Sequence, residues 1–516
     1  MSETLVNLMI EGRPVSVPAG TSILEAAKTA GILIPHYCYH PGLPVAGVCR
    51  MCLVEVEKAP KLAPGCATAV AEGQVVRVYS DKALEARKGV LEMLLINHPL
   101  DCPICDQSGE CELQDYTFQE GRADSRYREA KRFNPVEDFG GDVMYVPNRC
   151  ILCTRCVRFM DDIHHDPVLN VSERGDRAYI GKAPDADLTQ PWAANVVDLC
   201  PVGALLSKDF LNKARAWELD RTASVCTGCS QGCNVTLELR EQQVVRIRPR
   251  GNTNVNKFFM CDHGRMDYKW LNRPDRLEVA MAGDTAADWE IAIGAAAKAL
   301  KGKRAFVVAN ASLSNEALFL LKRLVAKTGG AGYFNVPKGE EAPLPGVPDL
   351  SLRADRAANG TGAGLLGFTH EAKPLTKVSA GDVVLLVNVD PHAAAAESLA
   401  KADAVIVIGT TMPGIAKSPA AVLPIANVAE EEGTLTNLRG RVQRYLQAKA
   451  APGMARPSWF VLADLLNAVG DKADYLSASA VFDALAASEK AFAGMSYDTL
   501  ALSGIESPAV RAGATA

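Results

Sequence analysis

No cysteine follows Cys261 in this chain of 516 residues, so any thiolate chemistry is confined to its first half. No apolar run reaches the ~18 residues of a membrane span, and the N-terminus lacks the basic flank and apolar stretch of a signal peptide. A soluble, cytoplasmic chain is expected, with membrane contact left to partner subunits. There is no basic excess either. With 55 basic against 60 acidic residues and a net charge of −5, the chain has no electrostatic footprint for DNA or RNA, and nucleic acid is excluded as a partner. Its length exceeds the ~250–300 residues at which one core stops growing, which excludes a single domain.

What is present is a run of 15 cysteines between Cys38 and Cys261. In a reducing compartment, close cysteines read as metal ligands before disulfides. The first group is Cys38, Cys49, Cys52 and Cys66. It follows a predicted hairpin (Leu5 to Ile10, Pro14 to Val17) and a short helix opened by Ser22-Ile23-Leu24-Glu25 and stopped at Gly31. Two strands, a helix and a cysteine loop suggest the plant-type ferredoxin (β-grasp) architecture, in which a compact cysteine cluster and one distant cysteine hold [2Fe-2S]. Gly47 suits a loop whose amides turn toward sulfur. A four-cysteine zinc site is the alternative, although zinc ribbons usually present two Cys-x-x-Cys pairs.

The second group, Cys102, Cys105 and Cys111, follows a predicted helix over 82–96. Three thiolates cannot complete a four-iron cubane. His98, just before Cys102, has a neutral imidazole within loop reach, but a histidine at a helix end can equally be a capping or surface residue. His36 and His40 have no comparable pattern and read as loop residues. The third group, Cys150-x-x-Cys153-x-x-Cys156 with Cys200-Pro201, is the tight cubane-binding run and its remote partner. Arg149, Arg155 and Arg158 lie beside these cysteines and offer charge compensation. The fourth is Cys226, Cys229, Cys233 and Cys261, with a hairpin expected over 235–240 and 244–248 that folds Cys261 back onto the others.

Several of these motifs resemble one family. The first loop and the His98-x3-Cys102-x2-Cys105-x5-Cys111 pattern resemble the large iron-sulfur subunit of bacterial NADH:quinone oxidoreductase, respiratory complex I. So does Val197-Asp198-Leu199-Cys200-Pro201-Val202-Gly203-Ala204-Leu205. The first loop departs from plant ferredoxins in placing ten residues, not four, after its first cysteine. The fourth group, with Gly264-Arg265 and Arg273-Pro274-Asp275-Arg276-Leu277, resembles the N-terminal [4Fe-4S] domain of molybdopterin-dependent oxidoreductases. The resemblance implies His98 as a ligand, and with it the ligands number 16 for four clusters with none left over. One [2Fe-2S] and three [4Fe-4S] clusters would carry about 14 irons.

After Cys261, strands expected at 304–310, 382–389 and 403–408, with a helix over 316–327, predict an α/β domain with a mainly parallel sheet. Leu423-Pro424 and Glu432 to Gln443 resemble the molybdopterin-oxidoreductase-like C-terminal domain. Without a cysteine to ligate the metal, the region reads as a shortened scaffold without an active site and without a molybdenum cofactor. Gly362-x-Gly364-x-x-Gly367 fits a dinucleotide fingerprint but follows no strand and reads as a loop, so NADH is not placed on this chain.

The expected organisation is multidomain, α+β and α/β. It comprises a [2Fe-2S] domain (1–80), a one-histidine/three-cysteine [4Fe-4S] domain (81–120), a ferredoxin-like [4Fe-4S] domain (140–217) and a molybdopterin-oxidoreductase-type [4Fe-4S] domain (221–275). The scaffold (276–504) and a flexible tail (505–516) follow. The resemblance implies an electron-transfer role within an NADH:quinone oxidoreductase, with no catalytic acid, base or nucleophile on this chain. NADH and FMN would sit on a partner subunit, alongside other peripheral-arm subunits, at the cytoplasmic face of the bacterial inner membrane. A subunit of an NAD-dependent formate dehydrogenase or hydrogenase complex is the alternative. The former needs a molybdenum ligand, and an iron-only hydrogenase needs further cysteines.

Overall fold

The computed structural model describes residues 4–513. Leu5–Ile10 and Arg13–Pro18 pair antiparallel through the turn at Glu11 and Gly12, both with positive φ. They join Val75–Arg77, Leu53–Val56 and Ala63–Pro64 in a five-stranded sheet, with Leu5–Ile10 parallel to Val75–Arg77. The helix Ile23–Thr29 begins where Ser22 Oγ accepts from the Glu25 amide, a cap worth about 1 kcal/mol. The box is not reciprocal, because the Glu25 carboxylate accepts from the Tyr39 hydroxyl. Helix and sheet enclose Leu8, Ile10, Val17, Ile23, Leu24, Val54 and Val76, and Cys52 and Cys66 belong to that core. The first cysteine loop is therefore one wall of a hydrophobic core.

Ser80 caps the helix Asp81–Leu95, whose Arg87 is fully buried. Arg87 donates to the carbonyls of Val78 and Leu53 and pairs with Glu120 at the end of the helix Glu112–Glu120. One guanidinium thus ties both helices to the sheet. Beyond it, Glu137–Gly140, Val143–Tyr145 and Leu205–Ser207 form a three-stranded sheet, and Leu169–Ser172 pairs with Tyr179–Lys182. The helix Arg155–Arg158 runs on as a wider π turn over Phe159–His164.

The chain divides into two compact units, residues 1–219 with 344–348, and 220–343 with 349–516. The expected segments 1–80, 81–120 and 140–217 all fall in the first. The second unit opens with three antiparallel strands, Asp220–Val225, Asn234–Arg240 and Gln243–Pro249, and includes the expected hairpin. An eight-stranded sheet follows. Its centre is parallel, in the order Ala421–Pro424, Ala404–Gly409, Asp382–Val387, Arg304–Asn310, Ala331–Asn335 and Thr369–His370. Asp382–Val387 is buried along its whole length, as a strand covered on both faces must be. The helices Trp289–Leu300, Asn315–Thr328, Ser458–Ala468 and Ala478–Ser488 pack into the same core.

Two expectations are corrected. Residues 505 onward are not a free tail: Ile505–Glu506 adds a strand to Gly433–Thr436 and Arg441–Tyr445, and buried Ser507 donates to the Ala491 carbonyl. A two-residue strand and one buried serine carry too little apolar periodicity to show in sequence, and residues 514–516 lie outside the described part. The glycine-rich segment is also not a loop, since Gly360–Leu365 is a short helix. Its Gly362 is buried where a side chain would meet Asn359 and Asn315. Among the described residues no helix is long and apolar enough to cross a membrane.

Candidate metal centres

In the first set, Cys38 is fully buried, and Cys52 and Cys66 nearly so. The Cys38 sulfur hydrogen-bonds with Cys49 and Cys66, and Cys66 bonds in turn with Cys52, so all four thiols form one connected group. Those bonds pull Cys38 well below the usual thiol range and Cys52 to about 7, while Cys49 and Cys66 are pushed up. Gly47 adopts φ +64°, and the Val48 and Cys49 amides donate to the Cys38 sulfur. The ring of Tyr37 stands near both Cys49 and Cys111, and its buried hydroxyl has no hydrogen-bond partner among the described residues. His40, expected to be an ordinary loop residue, is held neutral by burial and by Arg155 and Arg158, with its pKa lowered to about 4.

Cys102, Cys105 and Cys111 lie within electrostatic range of one another. Cys102 opens a 3-10 turn and is exposed, whereas Cys111 is the residue before the helix Glu112–Glu120 and receives the Leu113 and Gln114 amides. His98 follows the end of helix Asp81–Leu95. Burial, then Lys131 and Arg149, lower its pKa to about 4, so its imidazole is neutral and suited to ligation. Its buried Nδ1 has no hydrogen-bond partner among the described residues. Arg149 pairs with Asp101 at 2.9 Å and stands near both His98 and Cys105.

Cys150, Cys153, Cys156 and Cys200 all line one recess, closed by Tyr145, Ile151, Ile180, Val202 and Leu205. Leu152 and Thr154 adopt φ of +52° and +60°, a conformation side chains other than glycine rarely take. It turns the Leu152 amide onto the Cys150 sulfur at 3.4 Å and the Arg155 amide onto Cys153. Cys200 receives the amides of Val202, Ala204 and Leu205, and Tyr145 donates to Cys150. Burial raises all four thiols, which favours neutral SH until a cation compensates the thiolate charge.

Cys229, Cys233 and Cys261 are buried and Cys226 is half-buried. Cys226 is near Cys229 and Cys261, and the Cys226 amide donates to the Cys233 carbonyl at 2.8 Å, which draws the loop closed. Burial pushes Cys261 up to about 12. Gly264 donates to the Cys261 sulfur at 3.4 Å, and a side chain there would begin 2.9 Å from the Cys226 sulfur. This glycine keeps a cradle open between two thiols.

The fold brings the thiols of each set near one another and, apart from exposed Cys102, holds them in buried or half-buried positions with amides aimed at sulfur, chemistry that suits iron-sulfur groups; the neutral His98 shares its neighbour Arg149 with Cys105 of the set that is one thiol short. Among the described residues no three His, Cys, Asp or Glu side chains converge tightly enough for a single ion. Sequence reasoning missed Tyr37 and Tyr145, and named Gly264 only as part of a family motif, without its place between two sulfurs. The glycines at Cys200-x-x-Gly203 and Cys261-x-x-Gly264 were the available signal.

Five family models cover these segments. They are a 2Fe-2S iron-sulfur cluster binding domain (residues 3–81), an NADH-ubiquinone oxidoreductase-G iron-sulfur binding region (87–126) and an NADH-quinone oxidoreductase subunit 3 ferredoxin-like domain (140–206). A molybdopterin oxidoreductase Fe4S4 domain (219–273) and molybdopterin oxidoreductase (352–468) follow. The G subunit of NADH-quinone oxidoreductase from Rickettsia felis is 39% identical over 335 residues, 64% of this chain and 50% of its own. This chain is a relative of that iron-sulfur subunit of NADH-quinone oxidoreductase. Mitochondrial NADH-ubiquinone oxidoreductase 78 kDa subunits are related too, at 41% identity in Candida albicans and 38% over 403 residues in Neurospora crassa. These alignments cover 63% and 76% of this chain and 46% and 52% of the relatives. The chain therefore spans about half the length of the curated relatives it matches. A solved chain of an NAD+-reducing [NiFe]-hydrogenase aligns with 40% of this chain and 90% of its own at 30% identity, with a TM-score of 0.38, too low to carry an argument.

Proposed function

We propose that this chain is an electron-transfer subunit of an NADH:quinone oxidoreductase. In this reading Cys38, Cys49, Cys52 and Cys66 hold a [2Fe-2S] cluster. His98, Cys102, Cys105 and Cys111, then Cys150, Cys153, Cys156 and Cys200, then Cys226, Cys229, Cys233 and Cys261, hold [4Fe-4S] clusters. The observation that carries it is the grouping of all 15 cysteines into four sets, with a half-buried, neutral His98 that shares its neighbour Arg149 with Cys105 of the set that is one thiol short. When bound, such clusters supply reversible one-electron exchange.

The chain's own residues do the rest. Amides of Val48, Leu152, Val202 and Gly264 donate to cysteine sulfurs and offset negative charge there. Tyr145, Ile180 and Leu205 keep water from the third set, while exposed Cys102 brings the second set toward the surface. NADH and FMN belong to a partner subunit in this reading, and the complex places the chain peripherally at the cytoplasmic face of the membrane. The C-terminal domain serves as a scaffold without a molybdenum cofactor.

The test is reduction of the assembled complex by NADH, followed by low-temperature paramagnetic resonance. Iron-sulfur signals that appear with NADH and decay on adding quinone support the reading; signals that NADH does not reduce contradict it.

A further inference from the structure

We propose that Arg158, with Arg155 one turn before it, is a positioning residue that locks separate cluster sites to one another and raises their reduction potentials together. This rests on the cluster assignment above. The Arg158 Nη2 donates to the main-chain carbonyl of Cys38 at 2.6 Å and to that of Cys153 at 3.2 Å. One nitrogen therefore touches a ligand residue of the first set and a ligand residue of the third. Its Nη1 donates to the Pro44 carbonyl in the first loop, and its Nε to Thr154 Oγ1 beside Cys153.

Arg155, only 4% exposed, repeats the pattern. Its Nη2 donates to the carbonyl of Tyr39, next to Cys38, at 2.8 Å, and its Nη1 to that of Leu199, next to Cys200, at 3.2 Å. Both nitrogens reach the carboxylate of Glu112, next to Cys111, at 3.2 and 3.3 Å. The Glu112 amide in turn donates to the Pro201 carbonyl at 3.0 Å. Three ligand-bearing loops thus converge on two side chains that leave the same short helix, Arg155–Arg158.

Arginine suits this task because its planar fork offers five donors in fixed directions and stays charged when buried, which a single ammonium cannot match. Apart from the Cys153 carbonyl, five positions away, the bonded carbonyls lie 44 to 120 positions from Arg155 and Arg158, so local chain geometry does not produce the contacts to the first loop and to Leu199. Two fixed positive charges beside loops that carry thiolates favour the more negative, reduced state of each site. An electron given up by one site and taken by the next changes neither arginine, whose part is to hold separation and charge constant.

The test uses the full chain, purified anaerobically with its metal load, as wild type, Arg158→Gln and Arg158→Lys. The readouts are iron and labile sulfide per chain, and potentiometric titration of the two-iron and four-iron paramagnetic signals. In Arg158→Gln both the first-set and third-set signals should shift together to lower potential, each by about tenfold in its redox equilibrium, or about 59 mV for one electron. Joint loss of both signals with the fourth-set signal retained supports the proposal equally, and Arg158→Lys, which keeps the charge but not the fork, should show a smaller joint shift. If only one signal moves, or neither, the bridge is wrong while the cluster assignment stands. A wild-type chain without labile sulfide overturns the assignment itself and the bridge with it. Should Arg158→Gln not accumulate, Arg158→Lys is judged by the same joint or separate movement, because it too lacks the fork.

Discussion

Gly203 lies against Cys105: a Cβ built on the glycine would stand 2.2 Å from the cysteine sulfur. The Cys-Pro-Val-Gly segment of the third set is therefore also a wall of the second. The requirement is for space, and any side chain must push the two loops apart. Gly203→Ala is expected to leave the fold intact by circular dichroism while lowering the iron content by roughly four per chain, one cubane's worth. Unchanged iron and an unchanged spectrum would show that the loops part without cost.

His98 gives a sharper contrast. His98→Ala removes the one candidate nitrogen ligand and should lose or destabilise a single [4Fe-4S] signal, leaving the others. His98→Cys should retain it at a lower potential, because a thiolate adds a negative charge that imidazole does not. Equal spectra for wild type and His98→Ala would exclude the histidine as a ligand.

In the second unit, Arg276 donates to both carboxylate oxygens of Glu430 at 2.6 and 2.7 Å, with both side chains nearly inaccessible, and Lys449 approaches the same carboxylate at 3.5 Å. Arg276 also donates to the carbonyls of Thr410 and Ile425. Arg276→Met strips a buried charge of its main partner and should cost about 3–5 kcal/mol in denaturant unfolding. A loss below about 1 kcal/mol would place this pair with ordinary surface ion pairs.

Two buried carboxyls predict the pH dependence of stability. Glu316 accepts from the Thr434 amide and hydroxyl and from the Tyr497 hydroxyl, and Glu431 from the Ser458 amide and hydroxyl. Burial outweighs these bonds and raises the carboxyls from 4.5 to about 7 and about 8. The native state then keeps protons that the unfolded chain has released, so stability falls as pH rises from about 4.5 through 8. The slope is roughly 1.4 kcal/mol per pH unit for each carboxyl protonated only in the native state. Glu316→Gln should flatten the curve. A wild-type stability that rises with pH over this window would contradict the assignment.

Much of the frame was legible because local signals and tertiary packing agree there. Ser22 and Ser314 cap the helices their sequences announce, and the run Arg304–Asn310 is a buried strand as its unbroken apolar pattern implies. The grouping of the cysteines was legible because they recur at short spacings. Their mutual arrangement was not. In sequence Arg155 reads only as a nearby charge, because Tyr39 and Glu112, whose groups it binds, lie 116 and 43 positions away and no periodicity marks them. The strand Ile505–Glu506 escaped for a related reason, since it pairs across the fold with Arg441 and Val442 and has no pattern of its own.

The most direct measurement of the central claim is iron, zinc and acid-labile sulfide per chain on the anaerobically purified protein. One two-iron and three four-iron clusters predict about 14 irons, a matching amount of labile sulfide and no stoichiometric zinc. Zinc near four per chain with no labile sulfide would contradict the account.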